Sequence, residues 1–144
     1  MASLAQALEN SNNWFANGEF FTKLSSLVNI VSDSKNSVSV EDLKCYYADG
    51  LSDILEELGL QTEIIDNPIK NGPPFLIGTR LESSQLNTIL LYGHGDTVPL
   101  QEGQWFEGII PNELKIIDDK IYGRGVADNK GQHLINLLAL LSVL

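Results

Sequence analysis

The sequence contains a single cysteine, Cys45, so an internal disulfide framework is excluded. Positive charge is scarce as well. Nine Lys and Arg stand against nineteen Asp and Glu, a formal net charge of -10. Those basic residues form no cluster, which argues against a nucleic-acid surface. There is no run of about eighteen apolar residues, so no membrane-spanning helix is expected. The opening Met1-Ala2-Ser3-Leu4-Ala5-Gln6 has neither the basic head nor the apolar stretch of a secretory signal. Internal repeats and low-complexity segments are also lacking. What remains is a 144-residue chain, 43% hydrophobic, with room for one core and the character of a cytoplasmic protein. Cys45 reads as a small, half-buried helix residue.

Residues 1–18 are polar and Asn-rich and read as a loosely held lead-in, with the domain proper over 19–144. Phe20, Leu24, Leu27, Val28 and Val31 follow helical spacing and predict a helix near 18–32. Ser39 with Asp42 resembles a capping box. It opens a helix carrying Leu43, Tyr47, Leu51, Ile54 and Leu58 on one face, which Gly59 ends in the left-handed conformation. Strands are expected at 62–65, 75–79 and 88–92, the last two joined by a hairpin through Ser83-Ser84-Gln85. A short ribbon over 115–122 should turn at Asp118-Asp119. From Gln132 the chain is apolar on nearly every side and stops without a Gly or Asn cap, the pattern of a helix held in a core. The expectation is therefore the N-terminal part of a longer, truncated protein.

The chemistry concentrates between Gly93 and Gly131. His94 closes the apolar run Ile89-Leu90-Leu91-Tyr92, and Asp128 precedes the apolar Leu134-Ile135-Leu137-Leu138-Leu141. An imidazole and a carboxylate thus sit at the ends of two rigid elements, where an open α/β sheet builds its sites. Both are ligand types that suit zinc. Asp96, two residues on in extended chain, lies on the same side as His94 and can accept its second ring N–H. Gly93 and Gly95 would let the backbone bend sharply around His94. Asp128 has a second reading as a helix N-cap.

Other features are set aside. Gly123-Arg124-Gly125 is not a dinucleotide loop, because Asp128 stands where the third glycine should be, and Lys130-Gly131 is not a phosphate-loop ending. Arg124 is expected to hold the loop by structural hydrogen bonds. Trp105-Phe106 should pack beneath it. His133 reads as a surface histidine in the first turn of the last helix. Glu56-Glu57 reads as a solvated helix face.

The two motifs together resemble the signature of the di-zinc exopeptidases and amidohydrolases of the twentieth metallopeptidase family. That group includes acetylornithine deacetylase, succinyl-diaminopimelate desuccinylase, aminoacylases, glutamate carboxypeptidase and several dipeptidases. Its pattern is His-x-Asp-x-Val-Pro at a strand end, a Trp soon after, then Tyr-Gly-Arg-Gly-x-x-Asp-x-Lys-Gly opening a helix. This chain has His94-Gly95-Asp96-Thr97-Val98-Pro99, then Trp105, then Tyr122 through Gly131. The likeness covers most of the chain beyond residue 18. One departure is Phe106-Glu107-Gly108, where many members carry a Pro-Phe.

The resemblance implies an α/β fold: the N-terminal portion of a mixed, mainly parallel sheet flanked by helices, in the zinc-binding half of a two-domain enzyme. It implies hydrolysis of a peptide or N-acyl amide bond next to a free carboxylate, on a small peptide or N-acyl amino acid. Two Zn2+ ions would serve the complete site, with Co2+ or Mn2+ as alternatives. His94 and Asp128 would be metal ligands, Asp128 bridging both ions, and Asp96 matches a catalytic residue of the family. The peptide bond after the bridging Asp is often cis in that family. The general-base Glu-Glu pair and the remaining ligands would lie beyond Leu144, and the parent protein could pair as a homodimer. The competing readings are a non-catalytic truncated remnant and a small nucleotide-binding α/β module.

Overall fold

The computed structural model describes residues 2–34 and 40–144. Ser39, half of the expected capping box, lies outside them. The stretch expected as a loose lead-in forms helix α1, Leu4–Ala16, whose first turn is capped by the Ser3 hydroxyl accepting from Gln6 N. No residue of α1 is buried. Trp14 packs against the core, Phe15 stacks on Phe20 at 4.6 Å, and polar anchors fasten the N-terminal segment to the far end of the chain. Trp14 Nε1 donates to Ser142 Oγ at 3.1 Å, Asn10 Nδ2 donates to the Ser142 carbonyl at 3.2 Å, and Ala2 N donates to the Val143 carbonyl at 2.9 Å. Asparagines read as marks of a loop serve here as surface and anchoring groups of a helix.

Helix α2, Glu19–Asn29, buries Phe20, Leu24, Leu27 and Val28 as the spacing predicts, while Val31 lies past its end and is exposed. The second predicted helix is α3, Val40–Cys45, continued by a π-helical stretch, Tyr46–Leu51, and by α4, Ser52–Glu57. The wider π turn changes which tyrosine faces inward. Regular spacing from Leu43 to Leu51 passes through Tyr47. The observed path runs Leu43, Tyr46, Leu51, and Tyr46 is 1% exposed. Gly59, at φ +66°, follows the end of α4 as expected. Cys45 is helical but exposed, because it falls on the outer side of that path.

Strand β1, Gln61–Ile65, pairs antiparallel with β2, Phe75–Thr79, in the register Gln61↔Thr79 to Ile65↔Phe75. Strands β3, Lys115–Ile117, and β4, Lys120–Tyr122, form the expected ribbon, turning at Asp118, whose φ is +52°. Among the described residues these are the two sheets, each two-stranded and antiparallel. The class is α/β, but the mainly parallel sheet is not seen. Among the described residues the one parallel pairing is an isolated bridge, Asp33↔Thr97.

Residues 88–92, expected as a buried strand joined to β2 by a hairpin, belong to neither sheet, and Ile89, Leu90 and Tyr92 are at least 80% exposed. A parallel strand is stable only with neighbours beside it and layers over both faces. Among the described residues nothing pairs with this one.

The core is instead helical. Phe20, Leu24, Leu27 and Val28 of α2 meet Tyr46 and Leu51 of the π-helical stretch, Ile54 and Leu55 of α4, and Leu134 and Leu138 of helix α5, Lys130–Val143. Each fully buried aliphatic side chain contributes about 1.5–3 kcal/mol. The outer side of α5 leaves Ile135 and Val143 exposed. No described helix is long and apolar enough to cross a membrane.

One charged group lies inside this core. Lys130 is 1% exposed, and its ammonium donates to the carbonyls of Leu27 at 2.9 Å and Ile30 at 2.6 Å. These carbonyls belong to the end of α2, where intrahelical partners run out and positive charge is favoured. The ammonium also lies 5.0 Å from the centre of the Tyr46 ring. Burial pushes its pKa down to about 8. Lys130→Met keeps the stem but orphans both carbonyls, so the variant should lose about 2 kcal/mol in urea unfolding. An unchanged midpoint would show that the ammonium adds no stability.

Candidate metal centre

The loop carrying His94 is fixed from two sides. Thr97 N donates to the Ser32 carbonyl at 2.9 Å and Ser34 N to the Thr97 carbonyl at 3.2 Å, so the segment after α2 is stitched to residues 95–97. The Ser32 hydroxyl donates to the Gly95 carbonyl. On the other side the backbone presses on the core. A Cβ on Gly95 would clash with Tyr46 Cε1, and one on Gly93 would fall 2.6 Å from His133 Cβ. Neither glycine has a positive φ. They are needed for close approach rather than for the sharp bend expected from sequence.

His94, Asp96 and Asp128 converge. His94 Nε2 is 3.0 Å from Asp128 Oδ1, and His94 Nδ1 is 3.0 Å from Asp96 Oδ1 and 3.1 Å from the Asp96 carbonyl. Burial would lower the pKa of His94. The hydrogen bonds to the Asp96 backbone and the Asp128 carboxylate, with the charges of both acids, outweigh it and hold the pKa above the usual histidine value. The His94 side chain is one-third exposed and that of Asp128 is 83% exposed, so the pair faces outward. The Asp128–Asn129 peptide bond is cis. Asp128 does not cap α5; Asn129 holds that position and makes no side-chain cap bond.

Asn129, which sequence reasoning passed over, joins the two motifs. Its Oδ1 accepts from His94 N at 3.0 Å and its Nδ2 donates to Gln132 Oε1 at 2.6 Å. His133, expected on the surface, is buried at 8% exposure. Its Nε2 is 2.7 Å from Tyr46 Oη and its Nδ1 is 3.4 Å from Asn129 Oδ1. Burial lowers the His133 pKa to about 4 and raises that of Tyr46 well above the usual phenol. Both groups are neutral near pH 7. The signal for Asn129 was its place beside Asp128. Tyr46 and His133 gave no signal, because the π turn hides their shared face.

The flanking loop follows the predicted pattern in part. Arg124 Nη2 donates to the Leu100 carbonyl and to Gln101 Oε1, both at 3.2 Å, and the guanidinium lies 5.0 Å from the centre of the Trp105 ring. Trp105 Nε1 also donates to the Leu100 carbonyl. Phe106, expected to pack beneath the loop, is 78% exposed. Glu56 and Glu57 are exposed as read. Among the described residues, no group of three or more His, Cys, Asp or Glu side chains is placed to hold a metal ion.

Residues 90–143 match Peptidase family M20/M25/M40. The chain is 40% identical over 87 residues to a cysteinylglycine-S-conjugate dipeptidase of Corynebacterium striatum, covering 60% of this chain and 18% of the relative. It is 33% identical over 99 residues to an acetylornithine deacetylase of Vibrio parahaemolyticus, covering 69% and 22%. The crystal structure of human carnosine dipeptidase 1 superposes with a TM-score of 0.81 at 29% identity, covering 99% of this chain and 31% of that one. The resemblance read from the two motifs therefore holds, for the N-terminal part of such hydrolases. The chain spans about a fifth of the length of these curated relatives.

Gly95→Ala forces a methyl against a buried aromatic ring that has no room to retreat. The variant should lose about 1–3 kcal/mol of stability. Urea unfolding measures this, and a midpoint equal to the parent's would show that the loop does not press on Tyr46.

Proposed function

We propose that His94 and Asp128 are ligands of a zinc centre in a hydrolase that cleaves a peptide or N-acyl amide bond next to a free carboxylate. Asp96 acts by orienting His94. The observation that carries this reading is the facing of His94 Nε2 and Asp128 Oδ1 across 3.0 Å, with Asp96 on the opposite ring nitrogen. Two electron-pair donors held so closely need a cation between them, either a proton or a metal. A zinc ion about 2.0–2.2 Å from each donor fits that gap after slight widening. The relatives' names, dipeptidase and deacetylase, supply the reaction class.

Asp96 accepts the Nδ1–H of His94, which fixes the tautomer, leaves the Nε2 lone pair free and raises its basicity. The Asp128 carboxylate is largely exposed, so its second oxygen is open to a second ion, as a bridging role requires. Zinc bound there would polarise a substrate carbonyl and lower the pKa of a coordinated water toward about 7. A catalytic zinc takes about three protein ligands, more than His94 and Asp128 provide. Further ligands and a general base would come from outside these 144 residues, as would the groups that choose between a small peptide and an N-acyl amino acid.

The test is zinc titration of the 144-residue chain, followed by the ring 15N resonances of His94. Zinc should shift Nε2 and spare Nδ1. Asp128→Asn should abolish the shift, and Asp96→Asn should weaken binding about 10–100-fold. Zinc that binds the chain yet leaves Nε2 untouched would refute the ligand assignment. With excess zinc, the chain should hydrolyse dipeptides and N-acyl amino acids no faster than a His94→Ala control. Turnover well above that control would show that all the ligands lie within these residues.

A further inference from the structure

We propose that Tyr46, His133 and Asn129 form a positioning relay that fixes the backbone of His94, so that its ring meets Asp128 at ligand distance. The metal role of His94 is taken from the reading above; the relay itself is a feature of the chain without metal.

The hydrogen-bond directions along the relay fit one arrangement. The Asn129 side-chain oxygen can only accept, and it already accepts from His94 N at 3.0 Å. The His133 nitrogen nearest to it, Nδ1 at 3.4 Å, must therefore carry the proton of the neutral ring. Nε2 is then a bare acceptor, and Tyr46, 2.7 Å away, must donate its O–H to it. The His94 N–H can only donate and so holds the amide oxygen on its side, while the Asn129 amide nitrogen donates to Gln132 Oε1. The donors thus run from the Tyr46 hydroxyl through the imidazole to the Asn129 oxygen, which the His94 N–H meets by donating from the other side.

Packing holds the relay at both ends. Tyr46 and His133 are 1% and 8% exposed, and their rings meet edge-on at 6.0 Å. Gly95 lies against the Tyr46 ring and Gly93 against His133 Cβ. The two residues flanking His94 therefore rest on the same two side chains that the relay joins. Tyr46 comes from the π-helical stretch and His133 from α5, so the relay ties the His94 loop to two helical elements of the core at once. None of the three need touch substrate or metal, and each acts through His94.

The experiment uses the metal-free 144-residue chain. Tyr46→Phe keeps the ring that Gly95 packs on and removes only the hydroxyl. His133 should then change from a single Nδ1–H tautomer to a mixture, read in its ring 15N shifts, and the His94 backbone N–H should exchange about tenfold faster. A pair of variants at His133 supplies the control. His133→Asn keeps a donor near Asn129 and should retain slow His94 exchange, whereas His133→Leu should lose it. In a zinc titration of the same proteins, Tyr46→Phe should weaken binding about tenfold.

An unaltered His133 tautomer with unaltered His94 exchange in Tyr46→Phe would overturn the relay, as would equal His94 exchange in the Asn and Leu variants at 133. Zinc that never shifts His94 Nε2 in the parent, while the exchange effects appear as expected, would refute the metal reading alone and leave the relay standing.

Discussion

A buried ammonium holds the ends of two helices together. Lys130 opens α5 and closes α2, where the last carbonyls have no helical donor left. Its two carbonyl partners are those whose helical donors have run out, and the adjoining chain then turns through Ser32 to meet Thr97. The segment after α2, the loop after His94 and the start of α5 are thereby fixed relative to one another. Asp128 stands two residues before the lysine and His94 three before Thr97, so the meeting of imidazole and carboxylate follows from where that one charge is placed. Burying it is costly, as its lowered pKa shows. Carbonyl acceptors and the Tyr46 face are what keep the charge tolerable.

The site is thus built on helices and loop stitching, with little help from a sheet. Open α/β sites usually take their rigidity from strand ends. Here β1 and β2 form a hairpin-like pair, β3 and β4 a short ribbon, and the segment leading into His94 belongs to neither. The precision of the 3.0 Å contacts comes from glycine backbone lying on buried rings and from Thr97 pairing with the chain at Ser32–Ser34. Close packing of this kind transmits small displacements efficiently, since interiors have few voids to absorb them.

The parts legible in the sequence were those set by local pattern. The spacing of Phe20, Leu24, Leu27 and Val28 announced α2, Gly59 marked the end of α4, and Asp118-Asp119 marked the ribbon turn. The convergence of His94, Asp96 and Asp128 was legible because each stands in a motif with period and punctuation of its own. Their chemical roles remain a proposal. What stayed hidden depends on geometry that no periodicity carries. A π turn moved Tyr46 into the position that regular spacing assigned to Tyr47, and His133 was drawn inward by that same ring. Asn10, in a stretch read as a loose lead-in, anchors α1 through Ser142. The strand expected at 88–92 failed for the opposite reason: its apolar pattern is right, but a strand is made by its neighbours.

That segment has a colloidal consequence. Ile89-Leu90-Leu91-Tyr92 is apolar, β-prone and uncharged, and it presents its side chains to solvent outside both sheets. An uncovered segment with these properties invites pairing with its like, the route by which edge strands lead to aggregation. The net charge of -10 opposes such association by repulsion between molecules, and added salt screens that repulsion. Salt and protein concentration therefore set how long solutions of the chain stay clear.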